Sequence, residues 1–237
     1  MLKTLARLVY KYFNIEARYR GNWRKDNKWL IDYNFKTIVD VGANEGQFAM
    51  KMRRFFPAAQ IISFEPIPDI YNKLNENFAG DSGFKAHCLG LGEKKETSSF
   101  FLNDYSASSS MLKLGDHMDH FDKASSGKEI TINIDRLDDV VKPADIKRPL
   151  FVKLDVQGFE DRVINGGMEV IKQADLIMCE VSFKTLYEDQ KLFDDIYYML
   201  KGLGFAYHGN YEQLHSPVTN EVLQADAIFV RRNPSAK

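Results

Sequence analysis

The chain has 237 residues, of which 44% are hydrophobic and 27% charged, and its 32 lysine and arginine residues nearly balance 33 aspartate and glutamate residues. This composition can bury a large core and excludes a wholly disordered chain. A formal charge of −1 argues against a nucleic-acid-binding protein, because neutralising phosphates requires an excess of cations. No apolar run approaches the ~18 residues of a membrane span. The two cysteines, Cys88 and Cys179, lie in apolar runs and predict reduced core residues of a cytoplasmic protein.

The balanced charge hides an asymmetry between the first thirty residues and the rest of the chain. Residues 1–30 hold eight basic and two acidic residues. Apolar residues at helical spacing predict an amphipathic basic helix within residues 1–36. They are Leu2, Leu5, Val9, Tyr12 and Phe13. Packing of this helix on the domain is the favoured interpretation, and peripheral contact of residues 1–30 with the anionic inner face of a membrane is the alternative.

From residue 37 onward, strand-like runs alternate with stretches of helical spacing. The predicted strands are 37–41, 60–64, 84–91, 97–102, 129–137, 150–156, 176–181, 205–208 and 225–231, and the predicted helices are 45–56, 70–78, 159–173 and 191–203. This alternation predicts an α/β fold with a parallel sheet and right-handed crossovers, closed by an antiparallel pair. Residues 103–128 predict a polar, serine-rich loop. One domain is therefore expected over residues 37–232, followed by a tail of residues 233–237.

The strongest chemical signal is the run Asp-Val-Gly-Ala-Asn-Glu-Gly from Asp40 to Gly46, where the first predicted strand meets a helix. Glycines in such a turn let the backbone approach a ligand closely, and the N-terminus of a helix suits a nucleotide. Glu65 ends the second predicted strand and is followed by Pro66. A carboxylate at that place accepts hydrogen bonds from ribose hydroxyls.

The turn departs from a dinucleotide fingerprint. Asn44 occupies the place of the middle glycine, and the acids Asp40 and Glu45 flank the turn. Acidic side chains repel a pyrophosphate and attract a cation. S-adenosylmethionine, which has an adenosine, an ammonium and no phosphate, therefore fits these residues better than NAD. An NAD-dependent oxidoreductase of Rossmann type and a non-catalytic glycan-binding module on a methyltransferase fold stay open as alternatives.

When further motifs are considered together with the glycine turn and Glu65, the chain resembles the FkbM-type family of S-adenosylmethionine-dependent methyltransferases over roughly residues 37–232. The most family-specific element is Lys-Leu-Asp-Val-Gln-Gly-Phe-Glu, from Lys153 to Glu160. The other matching elements are the glycine turn, Phe64-Glu65-Pro66, the serines before Met111, Arg136-Leu137-Asp138-Asp139, Glu180, and the run from Asp226 to Val230.

The resemblance implies a Rossmann-like class I methyltransferase, with a seven-stranded, mostly parallel sheet whose last strand is antiparallel. It implies methyl transfer from S-adenosylmethionine to a hydroxyl of a small acceptor, often a sugar, glycan or polyketide. The segment from Gly90 to Glu93 departs from the usual family form on the adenine side. The expected cofactor-binding residues are Asp40, Gly42, Ala43, Asn44, Glu45, Gly46, Glu65, Pro66, Gly90 and Asp155.

Lys153 and Asp155 fall on one face of a predicted strand, at the carboxyl end where open α/β sheets bind ligands. Methyl transfer requires alignment of the acceptor oxygen with the methyl group and removal of the hydroxyl proton. Asp155 is the predicted base or acceptor-orienting group. Lys153 is predicted to keep Asp155 ionised or to stabilise an alkoxide. A buried ion pair that only supports the sheet is the alternative.

Glu180 and His208 complete the predicted catalytic residues. Glu180 ends the strand expected beside Asp155, and His208 lies late in the following strand with a side chain suited to proton transfer. Asp155 and Glu180 together would offer two oxygen ligands to Mg²⁺, which are too few to predict a metal site, so a metal stays an open question. No motif specifies the acceptor or the oligomeric state.

Overall fold

The computed structural model describes residues 27–101 and 129–232 of the chain. The chain divides into two units, residues 1–34 and residues 35–237. In the first, a short helix α1 (Lys28–Ile31) is followed by Asp32, which accepts a hydrogen bond from Lys28 at 2.7 Å. Most of the predicted basic helix, the serine-rich loop with Met111, and the tail 233–237 lie outside the described residues.

The strands of the larger unit form two sheets. They are β1 (Thr37–Val41), β2 (Gln60–Phe64), β3 (Phe84–His87), β4 (Gly90–Leu91), β5 (Glu96–Phe101), β6 (Glu129–Asp135), β7 (Leu150–Leu154), β8 (Leu176–Ser182), β9 (Phe205–His215) and β10 (Val222–Arg231). The main sheet has seven strands in the order β3-β2-β1-β7-β8-β10-β9. Strand β10 runs antiparallel to β8 and β9, and the other pairs are parallel. The predicted seven-stranded, mostly parallel sheet with an antiparallel last strand is confirmed.

A second sheet of three strands, in the order β4-β6-β5, corrects one prediction. Residues 84–91 are not one strand, because β3 ends at His87, opposite the last residue of β2, and the chain then changes sheets. Gly90 pairs with Ile134 of β6 instead. The apolar face of this sheet packs on Ile67, close to the end of β2.

Helices connect the strands. They are α2 (Gln47–Phe55), α3 (Pro68–Asn77), α4 (Leu137–Val140), α5 (Glu160–Gly166), α6 (Met168–Ile171) and α7 (Phe193–Gly202). Pro68 begins α3, where its fixed φ suits the first turn and its missing N–H costs no hydrogen bond. The prediction of one helix over 159–173 is wrong, because the backbone of Gly167 leaves the helical region (φ −123°, ψ 25°). Within the described ranges, no helix combines the length and apolarity of a membrane span.

The central strands β1 and β7 are buried at every residue. This pattern is expected of parallel strands that are covered on both faces. Their side chains are apolar except for Thr37, Asp40 and Lys153, and Asp40 is paired in register with Lys153. A charged group in such a strand is costly unless it is paired. Asp40 and Lys153 therefore indicate a functional site at the carboxyl ends of these strands.

Strands β9 and β10 are longer than predicted. The pairing continues to His215 and Val222, beyond the predicted ends at residues 208 and 225. Polar residues such as Glu212 and Gln213 hide this extension in the sequence, because an edge strand does not need a continuous apolar run. The extension carries Tyr211 and Glu212 toward the carboxyl ends of the parallel strands.

Candidate active site

The turn after β1 has a backbone that favours glycine at two positions. Gly42 has φ +78° and Gly46 has φ +93°, both in the left-handed region. A Cβ atom on Gly42 would lie 1.8 Å from the backbone oxygen of Asp155, and one on Gly46 would lie 2.7 Å from Cδ1 of Leu74. The turn is therefore in close contact with the end of β7 and with α3, and it leaves no room for side chains at these positions.

Glu65 follows β2 and binds the same turn. Its Oε2 accepts a hydrogen bond from the N–H of Asn44 at 3.0 Å, and its Oε1 accepts one from the N–H of Ile67 at 2.9 Å. The residue is 5% exposed. Burial raises the pKa of Glu65 to about 7, although both N–H groups oppose the rise. Each carboxylate oxygen keeps the capacity to accept a further hydrogen bond.

An apolar cavity of about 100 Å³ lies beside Glu65, between the turn and the second sheet. We call it the apolar cavity, and it is lined by Glu65, Pro66, Ile67, Gly90, Leu91 and Phe100 and also by Gly42, Asn44 and Asp155 of the facing wall. Small ligand sites commonly combine apolar walls with a few placed polar groups. The cavity offers apolar walls to a ring system and a buried carboxylate to hydroxyl groups.

Lys153 lies between two carboxylates at the centre of the sheet. Its Nζ is 3.0 Å from Oδ2 of Asp155 and 3.6 Å from Oδ1 of Asp40. Burial alone would lower the pKa of Lys153, but the Asp155 and Asp40 carboxylates outweigh burial and raise it above its ordinary value. Asp40 is fully buried, and among the described residues no donor lies within hydrogen-bond distance of its oxygens. Burial raises the pKa of Asp40, and Lys153 opposes that rise.

Gln157 connects Asp155 to a second carboxylate. Its Nε2 donates to Oδ1 of Asp155 at 3.0 Å and to Oε2 of Glu180 at 2.7 Å. The hydroxyl of the buried Tyr187 donates to Oε1 of Gln157 at 2.7 Å. Burial, followed by the nearby Asp155 carboxylate, raises the pKa of Glu180 well above its usual range. Asp155 is thus held from both sides, by Lys153 and by Gln157.

Glu160, the last residue of the family-specific run, has a structural role in the turn after β7. Its Oε1 accepts a hydrogen bond from the N–H of Val156 at 2.9 Å, and its Oε2 accepts one from the N–H of Gly158 at 3.0 Å. Burial raises the pKa of Glu160 to about 7, against the effect of these N–H groups. Glu160 therefore fixes the backbone that presents Asp155 and Gln157.

A second, larger cavity of about 530 Å³ lies on the other side of Asp155. We call it the polar cavity, and its lining includes Phe48, Lys51, Lys153, Asp155, Tyr211 and Asp226. Burial, followed by the Asp155 carboxylate, raises the pKa of Asp226 to about 6. Gly42, Asn44 and Asp155 line both cavities. Ligands in the two cavities would therefore meet beside Asp155.

The structure brings together most of the residues that the sequence predicts. Gly42, Asn44, Glu65, Pro66, Gly90 and Asp155 line the apolar cavity, and Ala43, Glu45 and Lys153 line the polar cavity. Asp40 lies beneath the turn, and Gly46 is the N-cap of α2. Glu45 also pairs with Lys73 at 2.9 Å, so its charge is partly compensated.

Two of the predicted catalytic residues line neither the apolar nor the polar cavity. Glu180 is joined to Asp155 through Gln157. His208 is exposed on β9. Strand β9 is the edge of the sheet and pairs with β10 alone, so its first residues lie away from Asp155. Tyr211 and Glu212, farther along the strand, reach the polar cavity instead. The structure gives no support to His208 as a base.

Several residues of the site carry no role in the sequence analysis. Asp226 and Gln157 lie in family elements, and the charge of Asp226 within the mostly apolar strand β10 is the signal that singles it out. Phe48, Lys51 and Tyr211 have no local signal, because α2 and β9 are distant in the chain. Among residues 27–101 and 129–232, no group of three or more His, Cys, Asp or Glu side chains is arranged to hold a metal ion.

Comparison with known proteins identifies relatives of the chain. A family model described as the methyltransferase FkbM domain matches residues 40–207. The chain is 26% identical to the 2-O-methyltransferase NoeI of Sinorhizobium fredii over 168 residues, which cover 68% of this chain and 69% of the relative. It is 27% identical to the hexuronic acid methyltransferase AglP of Haloferax volcanii over 145 residues, which cover 61% of this chain and 55% of the relative.

A solved structure supports the fold. The crystal structure of an FkbM methyltransferase from Methylobacillus flagellatus gives a TM-score of 0.52 at 15% identity, covering 83% of this chain and 44% of that one. At this identity the likeness concerns the fold alone. This chain covers less than half of the length of that protein and little more than half of the length of the Haloferax relative.

Proposed function

The chain belongs to the FkbM methyltransferase family, and on that premise we propose that it is an S-adenosylmethionine-dependent O-methyltransferase acting on a hydroxyl of a sugar or glycan. The observation that carries the proposal is the meeting of an apolar and a polar cavity at Asp155. The names of two relatives, a 2-O-methyltransferase and a hexuronic acid methyltransferase, support a hydroxyl and a sugar as acceptor. Family membership favours this function over an NAD-dependent oxidoreductase or a glycan-binding module.

The apolar cavity fits the adenosine of S-adenosylmethionine by its chemistry. Glu65 is placed to accept hydrogen bonds from the ribose hydroxyls, and Leu91 and Phe100 offer apolar contacts to the adenine. The acidic side chains Asp40 and Asp155 outnumber the single lysine between them, Lys153, and this surplus suits a cationic ligand at the turn. When bound, S-adenosylmethionine supplies an electrophilic methyl group for an in-line displacement.

Asp155 orients the acceptor hydroxyl in this proposal. It lies where the two cavities meet, and its own position is fixed by the ion pair with Lys153 and the hydrogen bond from Gln157. A fixed hydrogen-bond acceptor of this kind lowers the entropic cost of aligning the reacting oxygen. Each oxygen of Asp155 keeps the capacity to accept a further hydrogen bond, and we assign to Asp155 the orientation of the acceptor hydroxyl.

Asp226 is the residue that we assign to proton removal. Its side chain lines the polar cavity, and its pKa of about 6 leaves it ionised at neutral pH yet basic enough to accept a proton. The carboxylate of Asp226 takes the hydroxyl proton as the new carbon–oxygen bond forms. Glu180 lies opposite Asp226 on β8 and contacts the site through Gln157.

A direct test supplies the whole chain with S-adenosylmethionine that carries a trideuterated methyl group, together with a panel of sugars and glycans. Mass spectrometry is expected to show one labelled methyl group on a hydroxyl oxygen. The variant Asp155→Asn is expected to bind S-adenosylhomocysteine and to transfer no label. Label on nitrogen or carbon would contradict O-methyl transfer, and full activity of Asp155→Asn would contradict the role of Asp155.

A further inference from the structure

The polar cavity continues into a groove along the last two strands. Glu180, Glu212, Gln213, Gln224 and Asp226 line this groove. Glu212 and Asp226 belong to both the groove and the polar cavity. The two spaces therefore adjoin at Glu212 and Asp226, and we consider them together as one site beside Asp155 and along β9 and β10.

The described lining of this site carries more negative than positive side chains. Its carboxylates are Asp155, Glu212 and Asp226, together with Glu45, which Lys73 partly compensates, and its lysines are Lys51 and Lys153. Glu180 also lines the site, but burial raises its pKa, so it ionises less readily. Both lysines are already engaged. Lys153 pairs with Asp155, and Lys51 has its Nζ 4.5 Å from the centroid of the Tyr211 ring. Among the described residues, the groove itself is lined by no cation.

The titration of the lining carboxylates agrees with this surplus. Burial raises the pKa of both Glu180 and Asp226, and neighbouring carboxylates raise each of them further. For Asp226 the neighbours that raise the pKa are Asp155 and Glu212, while Lys153 and Lys51 lower it. Burial disfavours a charge on Glu180 and Asp226 and the nearby carboxylates disfavour a negative one, so an added carboxylate or phosphate beside them would be opposed by both effects.

Gln224 adds a hydrogen-bond donor to the wall of the groove. The residue is 6% exposed, and among the described residues no acceptor lies within reach of its Nε2. A buried donor without an acceptor is costly, so the site gains if a ligand supplies one. Gln213 offers a second amide nearby. Amides and carboxylates together match the hydroxyl groups of a sugar, which both donate and accept.

We propose that this site takes a sugar ring that is uncharged or carries an amine, and that it discriminates against rings that carry a carboxylate or a phosphate. The inference rests on the proposed function, because it names the acceptor class of the same site. It also distinguishes this chain from the relative that is named a hexuronic acid methyltransferase.

The first test compares matched acceptors. The whole chain is assayed with a methyl hexoside, the corresponding 2-amino sugar and the corresponding uronic acid. The kcat/KM for the uronic acid is expected to be at least tenfold lower than for the hexoside, about 1.4 kcal/mol, and the gap is expected to narrow at high salt. Equal or preferred use of the uronic acid would overturn the proposal.

Two matched variants show whether the carboxylates cause the preference. Glu212 is exposed and lines the site, and Glu76 is also exposed, on α3. Glu212→Lys is expected to raise the ratio of kcat/KM for the uronic acid to that for the hexoside by fivefold or so, and Glu76→Lys is expected to leave this ratio unchanged. If both variants changed this ratio equally, or if neither variant changed it, the carboxylates that line the site would not be the cause of the preference.

A second measurement needs no acceptor. Two nitroxides that share one ring, one cationic and one anionic, are added to the isotope-labelled chain, and the relaxation of the Met178 methyl group in the polar cavity is recorded. The cationic probe is expected to enhance relaxation more strongly. Equal enhancement, or a larger effect of the anionic probe, would overturn the proposal. If no sugar is methylated, the proposed function fails while this measurement still decides the charge of the site.

Discussion

Gly42 lies against the backbone carbonyl of Asp155, so that a Cβ atom built on the glycine would lie 1.8 Å from the carbonyl oxygen. This contact joins the turn after β1 to the end of β7. Both residues line both cavities. The close approach of two backbones, rather than any side-chain contact, therefore sets where the two cavities meet.

Replacing Gly42 by alanine is expected to lower the free energy of unfolding by about 3 kcal/mol or more, because the new methyl group meets backbone that cannot move aside. Gly80 is a matched control, since it has a similar φ of +84° and no atom within 4 Å of a built Cβ. Gly80→Ala is expected to cost about 1 kcal/mol, from the left-handed backbone alone. Urea unfolding measures the free energy of unfolding of both variants, and equal losses would contradict a close contact between Gly42 and the backbone of Asp155.

The buried carboxyl of Glu160 predicts a pH dependence of stability. Its pKa is about 7 in the folded chain, against 4.5 as the ordinary value. Because the folded state binds the proton more tightly, stability from this group is complete below about pH 4.5 and is lost as the pH rises through 7. The loss is on the order of 3 kcal/mol.

Glu160→Gln separates this contribution from that of other carboxyl groups. The amide oxygen can still accept hydrogen bonds from the N–H groups of Val156 and Gly158, as Oε1 does now at 2.9 and 3.3 Å. Urea unfolding between pH 4.5 and 7.5 is expected to show a smaller loss of stability in the variant than in the original chain. If the free energy of unfolding fell equally with pH in the variant and in the original chain, the carboxyl of Glu160 would not be the group that titrates.

Asp226→Asn is expected to lower kcat by a factor on the order of 10²–10⁴, the usual contribution of a general base. In the original chain, kcat is expected to rise as the pH increases through about 6 and Asp226 loses its proton. This rise of kcat with pH is expected to be absent in the variant, while its affinity for S-adenosylhomocysteine is expected to be unchanged. The charged groups that act on Asp226 are Lys153 of β7, Asp155 directly after β7, Glu180 of β8, Glu212 of β9 and Lys51 of α2. An unaltered pH profile of the variant would rule Asp226 out as the base.

Tyr187→Phe tests whether Gln157 is held in place by the tyrosine hydroxyl. The variant removes a hydrogen bond of 2.7 Å to Oε1 of Gln157, and the free energy of unfolding is expected to fall by about 1 kcal/mol. Because Gln157 then holds Asp155 less firmly, kcat is expected to fall severalfold while the affinity for S-adenosylhomocysteine stays the same. Tyr198→Phe, at a tyrosine that is 66% exposed, is expected to change neither quantity. A fully active Tyr187→Phe would show that the contact is dispensable.

The half of the site that we assign to the cofactor could be predicted from the sequence. The turn from Asp40 to Gly46 follows its strand directly, and Glu65 ends the next strand, so adjacent parallel strands bring them together. The sequence predicts Lys153 and Asp155 in the same way, since residues two apart lie on one face of a strand, although β7 ends at Leu154 and Asp155 follows it. Each of these predictions depends on local geometry.

The acceptor half could not be predicted, because it depends on which distant elements become neighbours. Lys51 of α2 and Tyr211 of β9 meet only once the sheet order is known. The side-chain chemistry of His208 alone predicts a base, and its position on the edge strand leaves it outside the two cavities. The role in proton removal that we assign to Asp226 depends on the antiparallel pairing that places it opposite Glu180.

The central claim is that this chain binds S-adenosylmethionine with Glu65 on the ribose, and calorimetry with S-adenosylhomocysteine tests it most directly. The whole chain is expected to bind this ligand and not NAD. Glu65→Ala is expected to weaken binding about tenfold or more, about 1.4 kcal/mol, while Glu76→Ala, at an exposed position on α3, is expected to keep the original affinity. Unchanged affinity in Glu65→Ala, or binding of NAD without S-adenosylhomocysteine, would contradict the account.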